Sequence, residues 1–234
     1  MRPKKFTPTP RLRNWKCLET YHVYQRGNYR QQIFFTEAQI LTYLQRIDLL
    51  AKRYSVRIHG FCLMSNHVHF LLETTRKDGI SRFMQQLQAY HARWIHGTQL
   101  RDGHLWKNRF GAKLITSPHQ FRETLLYIER NPLAARLSGR AEDYPYSSAA
   151  AHVANSPSAT IGEGKLQATI HLFLDRWHRE CDYQNWRHLL QPRGTAPNGD
   201  IDETLKILGK QREAPLDPIP IAIVPAAKSA TQAS

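Results

Sequence analysis

Two alternating runs separated by three residues constrain this chain most. Residues 55–63 (SVRIHGFCL) and 67–73 (HVHFLLE) flank Met64-Ser65-Asn66. Side chains on a strand point to opposite faces in turn, so these runs predict a hairpin. Val68, Phe70 and Leu72 would line one face, and His67 and His69 the other. An apolar face of that kind has to be buried under helices. The flanking sequence supplies them. Tyr21, Val23 and Gln25 alternate with His22, Tyr24 and Arg26 in a strand stopped at Gly27-Asn28. Thr36 and Gln39 make a capping-box pattern, followed by Ile40, Leu41, Leu44, Ile47 and Ala51 at helical spacing. Ile80, Phe83, Met84, Leu87, His91, Trp94 and Ile95 form a second apolar stripe, opposite Arg82, Gln85, Gln86, Gln88 and Arg93. Residues 109–116 read as a strand. Ser117-Pro118 then starts a helix that buries Phe121, Leu125 and Ile128 and is expected to stop near Asn131, before Pro132. The order strand, helix, hairpin, helix, strand, helix predicts an α+β domain, an antiparallel sheet with helices packed on one face.

Beyond Tyr146 the pattern weakens. The expected division is a basic flexible arm over 1–17, a catalytic domain over 18–152, a linker over 153–166, a small C-terminal helical extension over 167–213 and a disordered tail over 214–234. The extension rests on the helical spacing of Ile170, Phe173, Leu174 and Trp177 and of Trp186, Leu189 and Leu190. The formal net charge is +14, and it is local: residues 1–30 hold eight Lys/Arg against one acid, and residues 76–140 twelve against four. Such a field suits a polyanion. Neither a signal peptide nor a basic amphipathic membrane helix is legible, and the three cysteines form no C-x-x-C pair. A cytoplasmic protein without membrane partners is expected.

His67 and His69, two apart on a strand, can share one divalent ion, and chemistry on phosphate oxygens would add an oxygen ligand. On the helix after Pro118, Glu123, Tyr127 and Asn131 stack at i, i+4 and i+8. Alone, neither group decides anything. A half-exposed strand in a chain with twelve histidines can carry such a pair, and a tyrosine between Leu126 and Ile128 can be simple packing.

Together with their surroundings these residues resemble a known family. YHVYQRGNYRQQIFF (21–35), HGFCLMSNHVHFLLE (59–73), GISRFMQQLQAYHARW (79–94), GHLWKNRF (103–110), YIERNPLAARL (127–137) and DYPYSSAAAH (143–152) are similar, in order, to the single-tyrosine HUH transposases, in the branch of the REP-associated tyrosine transposases. The resemblance implies a ferredoxin-like sheet, His67 and His69 as metal ligands, Asn131 as an amide-bearing third ligand, and Tyr127 as nucleophile. It also implies Mg or Mn as cofactor and single-stranded or hairpin DNA as partner, cut and rejoined through a 5′-phosphotyrosine by a monomer or homodimer. Ser65, Ala134 and Arg136 depart from the family pattern, at a turn and a helix exit.

The cations expected to meet DNA phosphates are Arg2, Lys4, Lys5, Arg11, Arg13, Arg26, Arg30, Arg82, Arg93, Lys107, Arg109 and Lys113. Trp15, Tyr29 and Trp106 are candidates for base stacking. Three readings compete: a non-catalytic hairpin-DNA-binding protein derived from a transposase, a replication initiator or relaxase, and a zinc-dependent hydrolase that would recruit Glu73.

Overall fold

The computed structural model describes residues 15–99, 103–164 and 167–191. Arg2, Lys4, Lys5, Arg11 and Arg13, residues 192–213 of the expected extension, and the tail 214–234 lie outside them. The elements follow in the expected order: β1 (Thr20–Arg26), α1 (Glu37–Tyr54), β2 (Val56–Leu63), β3 (His67–Thr74), α2 (Gly79–Gln99), β4 (Gly111–Leu114) and α3 (Pro118–Ala134). The sheet runs β2-β3-β1-β4 with every neighbour antiparallel, the ferredoxin-like arrangement. Helix α1 starts on the capping box: Gln39 N donates to Thr36 Oγ1 at 3.3 Å, while Gln39 Oε1 accepts from Thr36 N at 3.3 Å and Phe35 N at 2.7 Å.

Alternation along β3 sorts the two layers. Val68, Phe70 and Leu72 meet α2, where Phe83 stands edge-on to Phe70 at 6.1 Å, and α1 packs beside α2. His67, His69 and Leu71 face the other way, toward α3. Gly60 on β2 permits that approach, since a Cβ there would stand 2.3 Å from Leu125 Cδ1. The expected α+β class stands, and the helices add to it: the two long helices share one face as read, and α3 covers the second. Every residue of β3 is buried, so both faces need a lid. Phe121, Leu125 and Ile128 are fully buried in that lid, each stabilising the fold by roughly 1.5–3 kcal/mol.

Three expectations are corrected. Helix α3 does not stop at Asn131 but continues to Ala134 with Pro132 inside it. Proline has no N–H for the Ile128 carbonyl, and the Asn131 side chain substitutes, its Nδ2 donating to Tyr127 O at 2.7 Å and Ile128 O at 3.4 Å. The arm does not extend through residue 17: Trp15 is buried, donates Nε1–H to Ser81 Oγ at 2.5 Å and stacks near Phe110. The stretch 153–166 is not merely a linker. It takes in the end of α4 (Ala149–Val153) and β5 (Ser158–Ile161), which pairs with β6 (Ala168–His171), and β6 lies against α1. Only Ala159 and Ile161 are buried in β5, too few to mark a strand among serines and glycines.

Helices α5 (Asp175–Glu180) and α6 (Trp186–Leu190) join the same core rather than forming an appendage. Their anchor is a carboxylate on α3. Glu129, fully buried, accepts from Ser148 Oγ at 2.5 Å, from His152 Nδ1 and, through its other oxygen, from Trp186 Nε1 at 2.8 Å. Glu129→Ala would strand all three polar groups, so a loss of about 2–4 kcal/mol in urea unfolding is expected. Buried histidines set a pH dependence. Burial lowers His91 to about 4 against a weaker upward pull from its Ile33 carbonyl partner, and burial lowers His59 despite Glu73. Below the unfolded value near 6.5 the unfolded chain binds protons that these rings refuse, so stability is complete above that pH and falls as pH drops toward 4. The urea midpoint should be lower at pH 5 than at pH 7.5; equal midpoints would contradict this account.

Candidate active site

His67 and His69 leave β3 on the face covered by α3, with ring centroids 4.9 Å apart and exposures of 4% and 6%. Their Nδ1 atoms are both held. Asn66 donates Nδ2–H to the Arg30 carbonyl at 3.3 Å, which turns its Oδ1 to His67 Nδ1 at 2.6 Å. The network therefore assigns the ring proton of His67 to Nδ1. His67 Nε2 is then a bare lone pair, buried and closing no hydrogen bond. His69 Nδ1 meets His22 Nε2 at 3.0 Å, the two rings stacked with centroids 5.1 Å apart. A hydrogen-bond partner on the second ring nitrogen is what orients a metal-binding histidine.

His22 escaped the sequence reading. Its signal lay in the register rather than in the composition: Tyr24 pairs with His69 and Arg26 with His67, so alternation puts His22, Tyr24 and Arg26 on the histidine face. Lys113 pairs with His22 from β4 on the same face. These charges and burial keep the rings neutral. Burial, with Arg26 acting the same way, holds His67 at about 3 against the opposing Asn131 amide. Burial and then Lys113 hold His22 at about 3. Burial, then His67, His22 and Arg26, keeps His69 well below the ordinary imidazole range.

Tyr127 comes to His69 and His22 within one chain. Half-buried on α3, its ring stands edge-on to His69 at 5.5 Å and to His22 at 5.9 Å. Asn131, one turn on, commits its amide nitrogen to helix carbonyls, so its oxygen is the donor atom left. The residues fit a divalent ion: an orphaned buried Nε2, a second imidazole with its Nδ1 engaged, and an amide oxygen. Among the described residues no group of three or more His, Cys, Asp or Glu side chains is arranged to hold a metal, so water or phosphate oxygens would have to complete such a shell. Glu73 does not join it. Arg57 takes one of its oxygens at 2.6 Å and His59 Nε2 lies 3.5 Å from the other, which removes the carboxylate that a hydrolase reading needs. Glu123 is paired with Arg122 at 3.4 Å.

The expected phosphate contacts divide by face. Arg26 and Lys113 share the histidine face, and Arg30, Lys107 and Arg109 are exposed where the chain leaves β1 and enters β4. Arg82 and Arg93 sit on the outer side of α2, across the sheet from the histidines, because the apolar stripe of α2 faces Phe70. Trp15 is withdrawn as a stacking residue by its burial. Trp106 donates Nε1–H to Gln88 O at 3.1 Å and packs on the core. Tyr29 is 94% exposed.

Residues 16–131 match the family model described as IS200-like transposase. Of solved structures, a REP-associated tyrosine transposase bound to a REP hairpin aligns at 21% identity with a TM-score of 0.51, over 61% of this chain and 83% of that one. At that identity the likeness speaks for the fold. A Deinococcus radiodurans R1 protein described as a transposase (20% identity, TM-score 0.35, 45% of this chain and 85% of that one) and a bacterial tRNA(His) guanylyltransferase-like protein with GTP (14%, 0.37, 71% and 90%) align too loosely to carry an argument. No curated protein matches the sequence. By residues 16–131, which hold the sheet, both histidines, Tyr127 and Asn131, the chain belongs to the IS200-like transposase family.

Proposed function

We propose that this transposase-family chain cuts and rejoins single-stranded or hairpin DNA, with Tyr127 as nucleophile and His67, His69 and Asn131 as ligands for Mg or Mn. The observation that carries the reading is one phenol standing edge-on to His69, whose ring lies 4.9 Å from that of His67, both imidazoles neutral and engaged at Nδ1. Neutral imidazoles are the form that binds metal. The REP hairpin held by the structurally similar transposase makes a DNA hairpin the substrate class to test first.

A phenol ordinarily ionises near pH 10 and is a poor nucleophile at neutral pH. When bound, the divalent ion would polarise the scissile phosphate and stabilise charge on its oxygens. The protein supplies the rest. Asn66 and His22 hold the two rings; Arg26 and Lys113 add positive charge on the same face; helix α3 positions the Tyr127 hydroxyl for in-line attack. The Tyr127 Oη–P bond forms as the P–O3′ bond breaks. The phenolic proton passes to solvent, and the 3′ oxygen leaves as a hydroxyl after taking up a proton. Reversal by another 3′-hydroxyl rejoins DNA without ATP, because the phosphodiester energy is kept in the tyrosyl ester.

Tyr127→Phe should abolish the covalent protein–DNA adduct on a labelled hairpin oligonucleotide while leaving binding nearly intact. An equal adduct yield would remove Tyr127 from the mechanism, and wild-type protein that binds hairpins but gives no adduct with Mg or Mn would favour the non-catalytic binder. If Arg26, Arg30, Lys107, Arg109 and Lys113 all meet phosphates, the log–log plot of single-strand affinity against salt should have a slope of roughly −3 to −4. A flat plot would exclude phosphate-dominated binding.

A further inference from the structure

The chain leaving β1 does something costly that the fold itself does not need. Tyr29 and Arg30 are consecutive non-glycine residues in the left-handed region, with φ of 49° and 59°. Such residues each cost on the order of 1–3 kcal/mol, and they persist where surrounding contacts over-determine them. The contacts are present. Asn28 N donates to Leu105 O at 2.8 Å, Gln31 Nε2 to His104 O and Leu105 O at 3.0 Å each, and Asn66 Nδ2 to Arg30 O. Gly27 is enclosed so tightly that a Cβ would lie 2.2 Å from the Gln31 carbonyl oxygen. The loop is thus rigid, yet the side chain it presents is 94% exposed. A strained, braced backbone that displays an aromatic ring to solvent adds nothing to burial.

Its neighbours indicate what the ring is for. Arg30, Lys107 and Arg109 are exposed, and none has a carboxylate partner among the described residues. Lys107 is tied to this corner through its N–H to Arg26 O at 3.0 Å, and Gln25 Nε2 fixes the other strand through Asn108 O at 2.6 Å. Arg26 pairs directly with His67, and Tyr29 follows three residues later, so its Cα lies at most about 11 Å along the chain from that pair. One nucleotide spans about 3.4 Å along a stacked strand, which brings the ring within a few nucleotides of the histidine pair.

We propose that Tyr29 is a stacking post for one unpaired base of the DNA strand whose phosphate lies at the histidine pair, with Arg30, Lys107 and Arg109 taking the phosphates beside it. Planar faces are common to all four bases, so the post selects unpaired over paired nucleotides rather than one sequence. This inference rests on the DNA reading above and extends it to a particular contact.

The test uses the full chain and fluorescently labelled single-stranded oligonucleotides carrying 2-aminopurine at successive positions. Tyr29→Ala should weaken single-strand binding by about one order of magnitude and abolish the quenching seen at one position, whereas Tyr29→Phe keeps both. Tyr29→Gly relieves the left-handed backbone, so it should unfold at the same or a higher temperature than wild type while binding DNA as poorly as Tyr29→Ala. Loss of stability and binding together in the glycine variant would make the residue structural and overturn the proposal, as would wild-type affinity in Tyr29→Ala. Wild-type protein that fails to bind any single-stranded probe would instead overturn the DNA reading on which the proposal stands.

Discussion

Strand β3 is hydrogen-bonded along both edges and buried on both faces, and everything proposed for the site depends on that double constraint. A slip of one residue in its pairing would turn His67 and His69 into the layer under α2 and push Val68 and Phe70 against Tyr127. Both errors are expensive. The first buries imidazoles without partners, and the second strands apolar surface beside Arg26 and Lys113. The register that satisfies the core is therefore the one that aligns the chemistry, with no separate device needed to hold it.

Helix α3 extends the same logic to the phenol. Its inner stripe of Phe121, Leu125 and Ile128 sets its rotation, and Glu129, the next position of the same buried face, ties it to Ser148, His152 and Trp186. Apolar packing and buried hydrogen bonds thus fix the same face of the helix, at the turn that carries Tyr127. Ser148, His152 and Trp186 thus belong to the architecture that carries the site, and truncation before Trp186 would loosen the helix that bears Tyr127 rather than remove an accessory part.

Much of this was legible in the residues, for physical reasons that differ by element. Strands β1 to β3 announced themselves by period-2 alternation, and α1 by Thr36 and Gln39, because those signals are local. The covering of the second sheet face was not legible, since it depends on Gly60 admitting Leu125, a contact between residues 65 apart in sequence. His22 was hidden for a related reason: only the β1–β3 register brings it to His69. Pro132 misled because the compensating amide of Asn131 belongs to the preceding residue, the very side chain expected to face a metal. The Tyr127 and histidine pairing itself came from the resemblance, as spacing alone favoured packing.

Asn66 joins the turn before β3 to the loop after β1, giving its nitrogen to the Arg30 carbonyl and its oxygen to the His67 ring. One short side chain with two rotatable bonds thus couples a surface corner to an imidazole. Loss of the Asn66 amide would take away the brace on the loop and the acceptor on the ring at once. Orientation of the buried nitrogen and the shape of the outer loop consequently answer to a single residue.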